Sequence, residues 1–409
     1  MKGMKSWFLM GIMGLTGFAT DGQAADTNKL EYYGFVRSDF YADSHNMFAS
    51  VQDLFGFYPL ESEYSIPKAG LSSITTRLGL TLHAGGIWGA NKSRSVFETD
   101  FGGSPTYMLL RIRQAYSQLI WEHSDLLIGQ TWHPLFTGVV CPNVLSLNTG
   151  NPFQTFNRSP QVLYQHHAQA WTFQAAAIYQ MMYTSTGPLG RTADYQKYAV
   201  IPEIYLGAQW QGENHTYGVG VDYKSIAPHN TIPSLGGGTE RQKERLNTPA
   251  IVGYYRFLSD DRNWTVKAKG LYGQNLTEQS IIGGYAVTPD YSYIAYNSLA
   301  SFVHINYGKT HQAGLLIGYS ANLGPQSDLP AGSLFYGFGV SGENSAQERL
   351  VSDLFRLSPT YSYNLPNWRI GVELEYTRAS WGNRNTTGQI DADATADNYR
   401  LYGIFTYLF

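Results

Sequence analysis

The amino-acid sequence predicts an all-β fold, a 16-stranded antiparallel transmembrane β-barrel, and three observations carry this prediction. Polar and apolar residues alternate in many segments of about ten residues, the pattern of a strand with one face in lipid and one in water. Short and long connections between these segments also alternate along the chain. The last segment places its aromatic and apolar residues on one face and ends on Phe409 itself.

The composition agrees with a membrane barrel and disfavours a nucleic-acid binder. The 409 residues carry a formal net charge of −3, and only 14% are charged, whereas nucleic-acid binding requires clustered basic residues. The 31 tyrosines suit interfacial girdles and the 43 glycines suit tight turns. Cys141 is the single cysteine, so an internal disulfide is excluded and the fold must be stabilised by other means, for which a closed hydrogen-bonded sheet would suffice.

The amino-terminal residues have the layout of a secretory signal. Lys2 and Lys5 precede an apolar stretch at 7–18, and Gly22 and Ala24 supply the small residues before a cut after Ala24. We therefore expect residues 1–24 to be removed as a signal peptide. No linker or low-complexity tract divides the remainder, so residues 25–409 are expected to form a single barrel domain.

The alternating segments number sixteen, and the connections between them differ in length on the two sides. Short connections have the turn chemistry of Gly, Asn, Asp and Pro, while all the intervening connections but 102–107 are long, as in outer-membrane barrels. Residues 332–342 also alternate, as a hairpin arm within a loop or as an extra strand, and we favour the loop. The predicted strands are 31–41, 72–83, 93–101, 108–121, 125–132, 160–166, 169–182, 199–210, 215–225, 248–257, 264–275, 294–306, 310–321, 353–363, 368–379 and 397–409.

Strict alternation assigns each strand residue to lipid or to the lumen. If Phe409 faces lipid, Arg400 faces the lumen, with Asn398, Tyr402 and Thr406. In segment 108–121 the same rule turns Arg111, Arg113 and Ser117 inward and Leu110, Ile112, Tyr116 and Ile120 outward. Charged side chains on strands are driven inward because Arg or Lys at mid-membrane costs about 2–4 kcal/mol. They therefore indicate a hydrated lumen.

The predicted lumen carries more basic than acidic residues. The acidic set is Asp39, Glu98, Asp100, Glu203, Asp222, Glu373 and Glu375. The excess of four positive charges predicts a mild preference for anions. Alternatively, Arg111 and Arg113 pair with Glu98 and Asp100 and hold the wall rigid, and the two interpretations are compatible. The basic set is Arg37, Arg77, Arg111, Arg113, Lys224, Arg256, Lys267, Lys269, Arg356, Arg369 and Arg400.

The third long connection, 133–159, is unusually apolar for a surface loop. We expect it to fold into the barrel and narrow the channel, although a subunit contact or a lid would also use apolar residues. Its polar residues would then face the passing solute; they are Asn148, Asn151, Gln154, Asn157 and Arg158.

Five stretches resemble the DcaP-like trimeric porins. They are 34–40 (GFVRSDF), 76–80 (TRLGL), 97–103 (FETDFGG), 110–116 (LRIRQAY) and 127–132 (LIGQTW). The resemblance is densest over 31–165 and implies a sixteen-stranded homotrimer in outer-membrane lipid that passes dicarboxylates and other small anions. The helical extension of some members is missing, since only residues 25–30 precede the first strand. Trimer contacts would then rest on the barrel walls.

We expect neither an enzyme nor a cofactor. The histidines are scattered, and His166 and His167 should point to opposite faces of a strand. Asp391, Asp393 and Asp397 resemble the opening of a calcium loop, but the central glycine and the bidentate glutamate are missing, which favours a solvated acidic loop.

The expected function is passive diffusion of small hydrophilic solutes across a bacterial outer membrane, with a tilt toward anions. One alternative is a substrate-specific channel for sugars, in which Trp132, Phe136 and Phe153 form a stacking slide. Another is a non-conducting structural or adhesin barrel.

Overall fold

The computed structural model describes residues 28–61, 65–103, 109–234, 237–341 and 349–409. These residues form a closed antiparallel barrel of sixteen strands. The predicted signal peptide lies outside the described residues. Each predicted strand overlaps one observed strand, so the predicted fold class and strand number are confirmed. The strands are β1 (Lys29–Asp43), β2 (Arg77–Gly85), β3 (Lys92–Asp100), β4 (Arg111–Ile120), β5 (Ser124–Trp132), β6 (Arg158–Ala168), β7 (Trp171–Ile178), β8 (Glu203–Gln211), β9 (His215–Ile226), β10 (Leu246–Leu258), β11 (Trp264–Gln274), β12 (Tyr293–Tyr307), β13 (His311–Pro325), β14 (Arg349–Asn364), β15 (Trp368–Arg384) and β16 (Ile390–Leu408).

The barrel closes where β1 pairs with β16, in a register from Phe35↔Leu408 to Asp43↔Arg400. Closure leaves no free edge, so backbone groups at membrane depth are paired within the sheet. In β16, Tyr402 is buried inside while Tyr399 and Leu401 are exposed on the outer face, as alternation predicts.

A β-bulge shifts the facing of residues in β4. The register with β3 slips beside Glu98, so that Arg113 is the extra residue. Beyond the bulge Gln118 is buried inside, while the Ser117 hydroxyl lies 2.7 Å from that of Ser95 on the exposed side. The prediction that Ser117 faces the lumen is therefore wrong. The same slip reverses the predicted facing of Tyr116 and Ile120.

Several strands extend beyond the predicted limits at the end of the barrel that carries the long loops. β15 continues to Arg384 and β16 begins at Ile390, so the last loop is confined to 385–389. Beyond the membrane both faces of a strand meet water, so alternation no longer marks the strand. Within 332–342, Leu334–Phe338 pairs with Gly283–Val287 of another loop, and this arm belongs to a loop as expected.

Loop L3 (133–157) folds into the barrel, as predicted, with 3-10 turns at Pro134–Phe136 and Gly138–Val140. Loop L1 (44–67) also enters as a hairpin of Met47–Ser50 and Phe55–Pro59, which the sequence analysis did not anticipate. Phe55 and Phe57 of L1 and Phe156 after the L3 turns belong to one buried interior cluster. L1 and L3 therefore share the lumen.

The remaining long loops are L4 (179–202), L5 (227–245), L6 (275–292) and L7 (326–348), and the shorter L2 (101–110) joins β3 to β4. L4 contains the short helix α1 (Asp194–Ala199), and L6 contains a 3-10 turn at Thr277–Gln279. Among the described helices, none is long and apolar enough to cross a membrane. The remaining short strands are Lys68–Ser72, Thr186–Gly187, Gly190–Arg191, Thr231–Pro233, Thr239–Arg241 and Val340–Ser341.

Candidate channel constriction

Three arginines and two carboxylates form a connected network on the inner wall of β2–β4. Arg111 donates two hydrogen bonds to Asp100, at 2.9 and 2.8 Å. Arg113 bridges Glu98, at 2.9 Å, and Asp100, at 2.7 Å. Arg77 Nε lies 3.8 Å from Glu98. Each carboxylate therefore contacts two guanidinium groups, which is the pairing that the sequence analysis proposed for wall rigidity.

Three arginines of this wall are more exposed than the carboxylates that they contact, whereas Arg113 is as buried as its partners. Arg37 of β1 pairs with Asp39 in the same way as the network on β2–β4. The side chains of Arg37, Arg77 and Arg111 are 15%, 23% and 19% exposed, compared with 0%, 6% and 4% for their carboxylate partners. Arg77 and Arg111 thus place positive charge nearer to the water than Glu98 and Asp100 do, and the β2–β4 network has one more cation than anion. Arg37 also donates to the Leu145 carbonyl of L3 at 2.7 Å.

A cavity of about 270 Å³ borders this wall. Arg111 and Arg113 form its charged side, and aromatic residues of three loops, Phe57 of L1, Phe156 of L3 and Tyr183 of L4, contribute to its other sides. The loops leave a space that suits a small solute beside two guanidinium groups.

Arg158, at the start of β6, is a buried cation that packs against Phe156 and Tyr183, two of the aromatic residues that line the cavity. Its guanidinium carbon lies 4.7 Å from the ring centre of Trp132, 5.2 Å from Phe156 and 5.3 Å from Tyr183. One nitrogen donates to the Tyr183 hydroxyl at 2.7 Å, while Nε and Nη1 have no hydrogen-bond partner in the described part of the chain. This cation adds to the positive potential but is covered from the lumen.

Two lysines predicted to face the lumen hold L3 instead of standing free in it. Lys269 Nζ donates to the Leu135 carbonyl at 2.6 Å and also contacts Gln154 and Thr155. Lys267 Nζ donates to the Cys141 carbonyl at 2.7 Å. These contacts fix L3 against the wall of β11.

Arginines of β14 and β16 hold L1 in the same manner. Arg356 donates to the Phe57 carbonyl at 2.7 Å. Arg400 forms two hydrogen bonds with Asp43, both 2.8 Å, and donates to the Asp53 carbonyl at 2.9 Å. Arg400 is therefore buried beneath L1.

The polar residues of L3 proposed to face the solute are buried in contacts within the protein. Asn148 donates to the Gly56 carbonyl, at 3.2 Å, and to Glu375, at 3.0 Å. The structure thus brings Arg37, Arg77, Arg111 and Arg113 together with Glu98 and Asp100, and it places Asn148, Arg158 and Arg400 away from the open cavity. The interior also holds buried acids that the sequence count omitted, namely Asp43, Asp125 and Glu278. The count of charges therefore describes the lumen less well than their arrangement does.

The aromatic slide required by the sugar alternative is not open to the lumen. Phe136 stacks on Trp132 with ring centres 4.0 Å apart and is itself buried, as is Phe153. The face of Trp132 is further covered by Arg158.

One buried group of side chains has the composition of a metal site. Candidate ligand atoms of His133, Glu203 and Asp222 lie within 4.8 Å of one another. However, the His133 Nδ1 accepts a hydrogen bond from the Leu135 amide, which places the ring proton on Nε2, and Nε2 donates to Glu203 at 2.9 Å. These hydrogen bonds attach the start of L3 to β8 and leave no free lone pair on the His133 ring for a metal ion.

Asp391, Asp393 and Asp397 lie along the extended strand β16. The register with β15 shifts at Asp393, and Asp391 and Asp397 are about 20 Å apart along the strand, so the three carboxylates do not converge on one ion. Asp393 instead pairs with Arg349, and Asp397 with Arg378.

No protein-family model and no curated protein matches the chain. Among solved structures, it is similar to the outer membrane channel DcaP of Acinetobacter baumannii, with 18% identity over 95% of this chain and 100% of that chain and a TM-score of 0.70. It is also similar to an anion-selective porin from Comamonas acidovorans, with 9% identity over 94% and 100% of the two chains and a TM-score of 0.55. A trimer form of OmpT, an outer membrane protein of Vibrio cholerae, matches with 11% identity over 93% and 100% and a TM-score of 0.53. The resemblance inferred from sequence motifs is confirmed at the level of the fold, and this chain has the barrel fold of bacterial outer-membrane porins.

Proposed function

We propose that the protein is a passive outer-membrane channel for small hydrophilic solutes, with a mild preference for anions that includes dicarboxylates. The observation that carries the proposal is the arrangement of Arg77 and Arg111 in front of Glu98 and Asp100. Positive charge at a constriction lowers the electrostatic barrier to anions and raises it for cations.

Recognition of a carboxylate solute would use the planar guanidinium groups beside the 270 Å³ cavity. Arginine presents parallel N–H donors that match a carboxylate, and it remains charged at every physiological pH. Arg111 and Arg113 also stay fixed, because Asp100 binds both of them. Asp100 engages Nε and Nη2 of Arg111, so a solute anion exchanges its hydration for the remaining guanidinium hydrogens, which these contacts hold in place. Diffusion alone carries it through.

The test is the reversal potential of the purified protein in planar bilayers under a tenfold KCl gradient. We expect stepwise ohmic conductance and a reversal potential of the sign set by chloride. Succinate, a dicarboxylate, should reduce the chloride current by occupying the same cavity. A cation-selective potential would contradict the proposal, absence of conductance would favour a structural barrel, and block of the current by sugars would favour the sugar channel.

The likeness to a solved trimer and to the DcaP channel supports a homotrimer embedded in outer-membrane lipid. The mass of the purified protein in detergent, measured by light scattering with the detergent contribution subtracted, tests this assembly. A mass of one chain would refute it.

A further inference from the structure

A basic groove lies between L4 and L5, outside the lumen. Its volume is about 500 Å³, and the described residues that line it include four cationic side chains and one carboxylate, that of Glu244. We call it the L4–L5 groove. Its principal lining residues are Lys197, Tyr198 and Val200 from L4 and Arg241, Lys243 and Arg245 from L5.

The groove stands at the outer border of the lipid-facing wall. Exposed residues alternate along β10 through Gly253, Ile251 and Pro249, and Arg245 continues this outward face. Arg245 lies ten residues along the chain from Tyr255, whose ring stacks on that of Tyr217 of β9 near the other border of the wall. At about 3.3 Å per residue and a tilt of about 40°, ten residues rise roughly 25 Å, the height of the apolar band of such barrels. Arg245 is thus at the level of lipid headgroups.

The positive charge of the groove is largely uncompensated. Lys197 pairs with Asp194 at 2.9 Å, but within the described ranges Arg241, Lys243 and Arg245 have no carboxylate within ion-pair distance. Three exposed cations in one groove attract an anionic group with several oxygens, such as a phosphate.

Apolar side chains border the same groove. Val200 is 71% exposed, and Tyr198 and Ile201 are about 40% exposed, at the point where L4 enters β8. Exposed apolar side chains beside basic ones fit an amphiphile better than a free ion, because a soluble phosphate leaves the apolar border in water.

From this combination we propose that the L4–L5 groove binds the phosphorylated headgroup of an outer-leaflet lipid. Arg241, Lys243 and Arg245 contact the phosphate, and the acyl chains descend along the apolar outer faces of β8–β10. The site is separate from the lumen, so it does not depend on whether the channel conducts.

Native mass spectrometry of the detergent-purified protein with added bis-phosphorylated lipid A tests this site. Lys243→Gln/Arg245→Gln should weaken retention about twenty-five-fold, since each basic residue at a charged membrane surface contributes roughly fivefold. The matched control is Lys92→Gln/Lys309→Gln, which removes the same charge at the opposite end of the barrel and should retain lipid A like the wild type. Heat-dependent gel mobility checks that each variant is folded.

A second variant, Val200→Asp, places a carboxylate in the apolar border and should also weaken retention, with L5 unchanged. Dephosphorylated lipid A should bind poorly to the wild type. Equal retention of the two lipids, equal retention by the wild type and Lys243→Gln/Arg245→Gln, or displacement of lipid A by an equal concentration of inorganic phosphate would overturn the proposal.

Discussion

Removing Arg111 and Arg113 together should reverse the charge of the constriction. In the wild type, three arginines of the β2–β4 network face two carboxylates. The double variant Arg111→Ala/Arg113→Ala leaves Glu98 and Asp100 with Arg77 alone. The wild-type network of three arginines and two carboxylates has a net charge of +1, and the variant, with one arginine and the same two carboxylates, has a net charge of −1.

The size of the effect follows from the dimensions of the cavity. A cavity of 270 Å³ equals a sphere of about 4 Å radius, so a solute at its centre is about 6 Å from the guanidinium groups once atomic radii are added. At an effective dielectric constant of about 40, one unit charge at that distance contributes roughly 1.4 kcal/mol. Screening at 0.1 M salt reduces this by about half. Loss of two charges thus amounts to about 1.5 kcal/mol, or roughly tenfold in anion occupancy.

The assay is the reversal potential in a tenfold KCl gradient, with the single-channel conductance recorded for the same insertions. We expect the double variant to move from anion toward cation selectivity. The control Lys92→Ala/Lys309→Ala removes two positive charges at the short-turn end and should shift the potential far less. An unchanged reversal potential in a folded, conducting double variant would refute the electrostatic reasoning.

Three further predictions concern the loops inside the barrel. Lys269→Met removes the contacts that hold L3 and should lower stability by about 2–4 kcal/mol in urea titrations and increase current noise, whereas the exposed Lys309→Met should do neither. Arg400→Met leaves Asp43 buried without its cation and should cost about 3–5 kcal/mol, and a smaller loss in Asp43→Asn/Arg400→Met would identify the unpaired charge as the cause. Burial raises the pKa of the Cys141 thiol to about 11, which lowers its thiolate fraction at pH 8 and should slow maleimide labelling about two-hundredfold relative to a thiol of pKa about 8.5. The labelling rate should rise with pH toward 11, and fast labelling at pH 8 would place L3 outside the lumen.

The barrel can be predicted from the sequence because the signals for a membrane strand lie within the strand and its adjoining turns. Alternation, turn residues and the apolar character of L3 are each visible within about ten to twenty-five residues of chain. The bulge beside Glu98 is different, since a single extra residue reverses the facing of Ser117 without changing the local composition. Facing can therefore be assigned with certainty only within an uninterrupted ladder.

Which loops fill the lumen cannot be predicted from a short stretch of sequence, because the contacts that hold them join residues far apart in the chain. Lys269 appears as an inward-facing cation in the sequence, but its partner Leu135 is 134 residues away in the chain. Alternation cannot distinguish a lysine that faces water from one that meets a loop carbonyl. The entry of L1 had a usable signal, because Leu54, Phe55 and Phe57 are as apolar as the residues of L3. The same criterion also selects L6, whose Leu276, Ile281 and Ile282 are buried in the interior cluster with residues of L1 and L3.

Side-chain length determines how far each charge extends from the barrel wall into the lumen. From this depth we predict an effect on selectivity that the net charge alone does not predict. An aspartate on a strand keeps its carboxylate near the backbone, while an arginine carries its charge several bonds further into the lumen. The variant Asp100→Asn/Arg111→Gln removes one negative and one positive charge, so a count predicts no change in selectivity. Because the Arg111 side chain is 19% exposed and that of Asp100 only 4%, we expect the anion preference to fall, with a shift of the reversal potential in the direction of the Arg111→Ala/Arg113→Ala variant but smaller. If the neutral variant kept the full wild-type potential, net charge and not its depth in the wall would control the passage of ions.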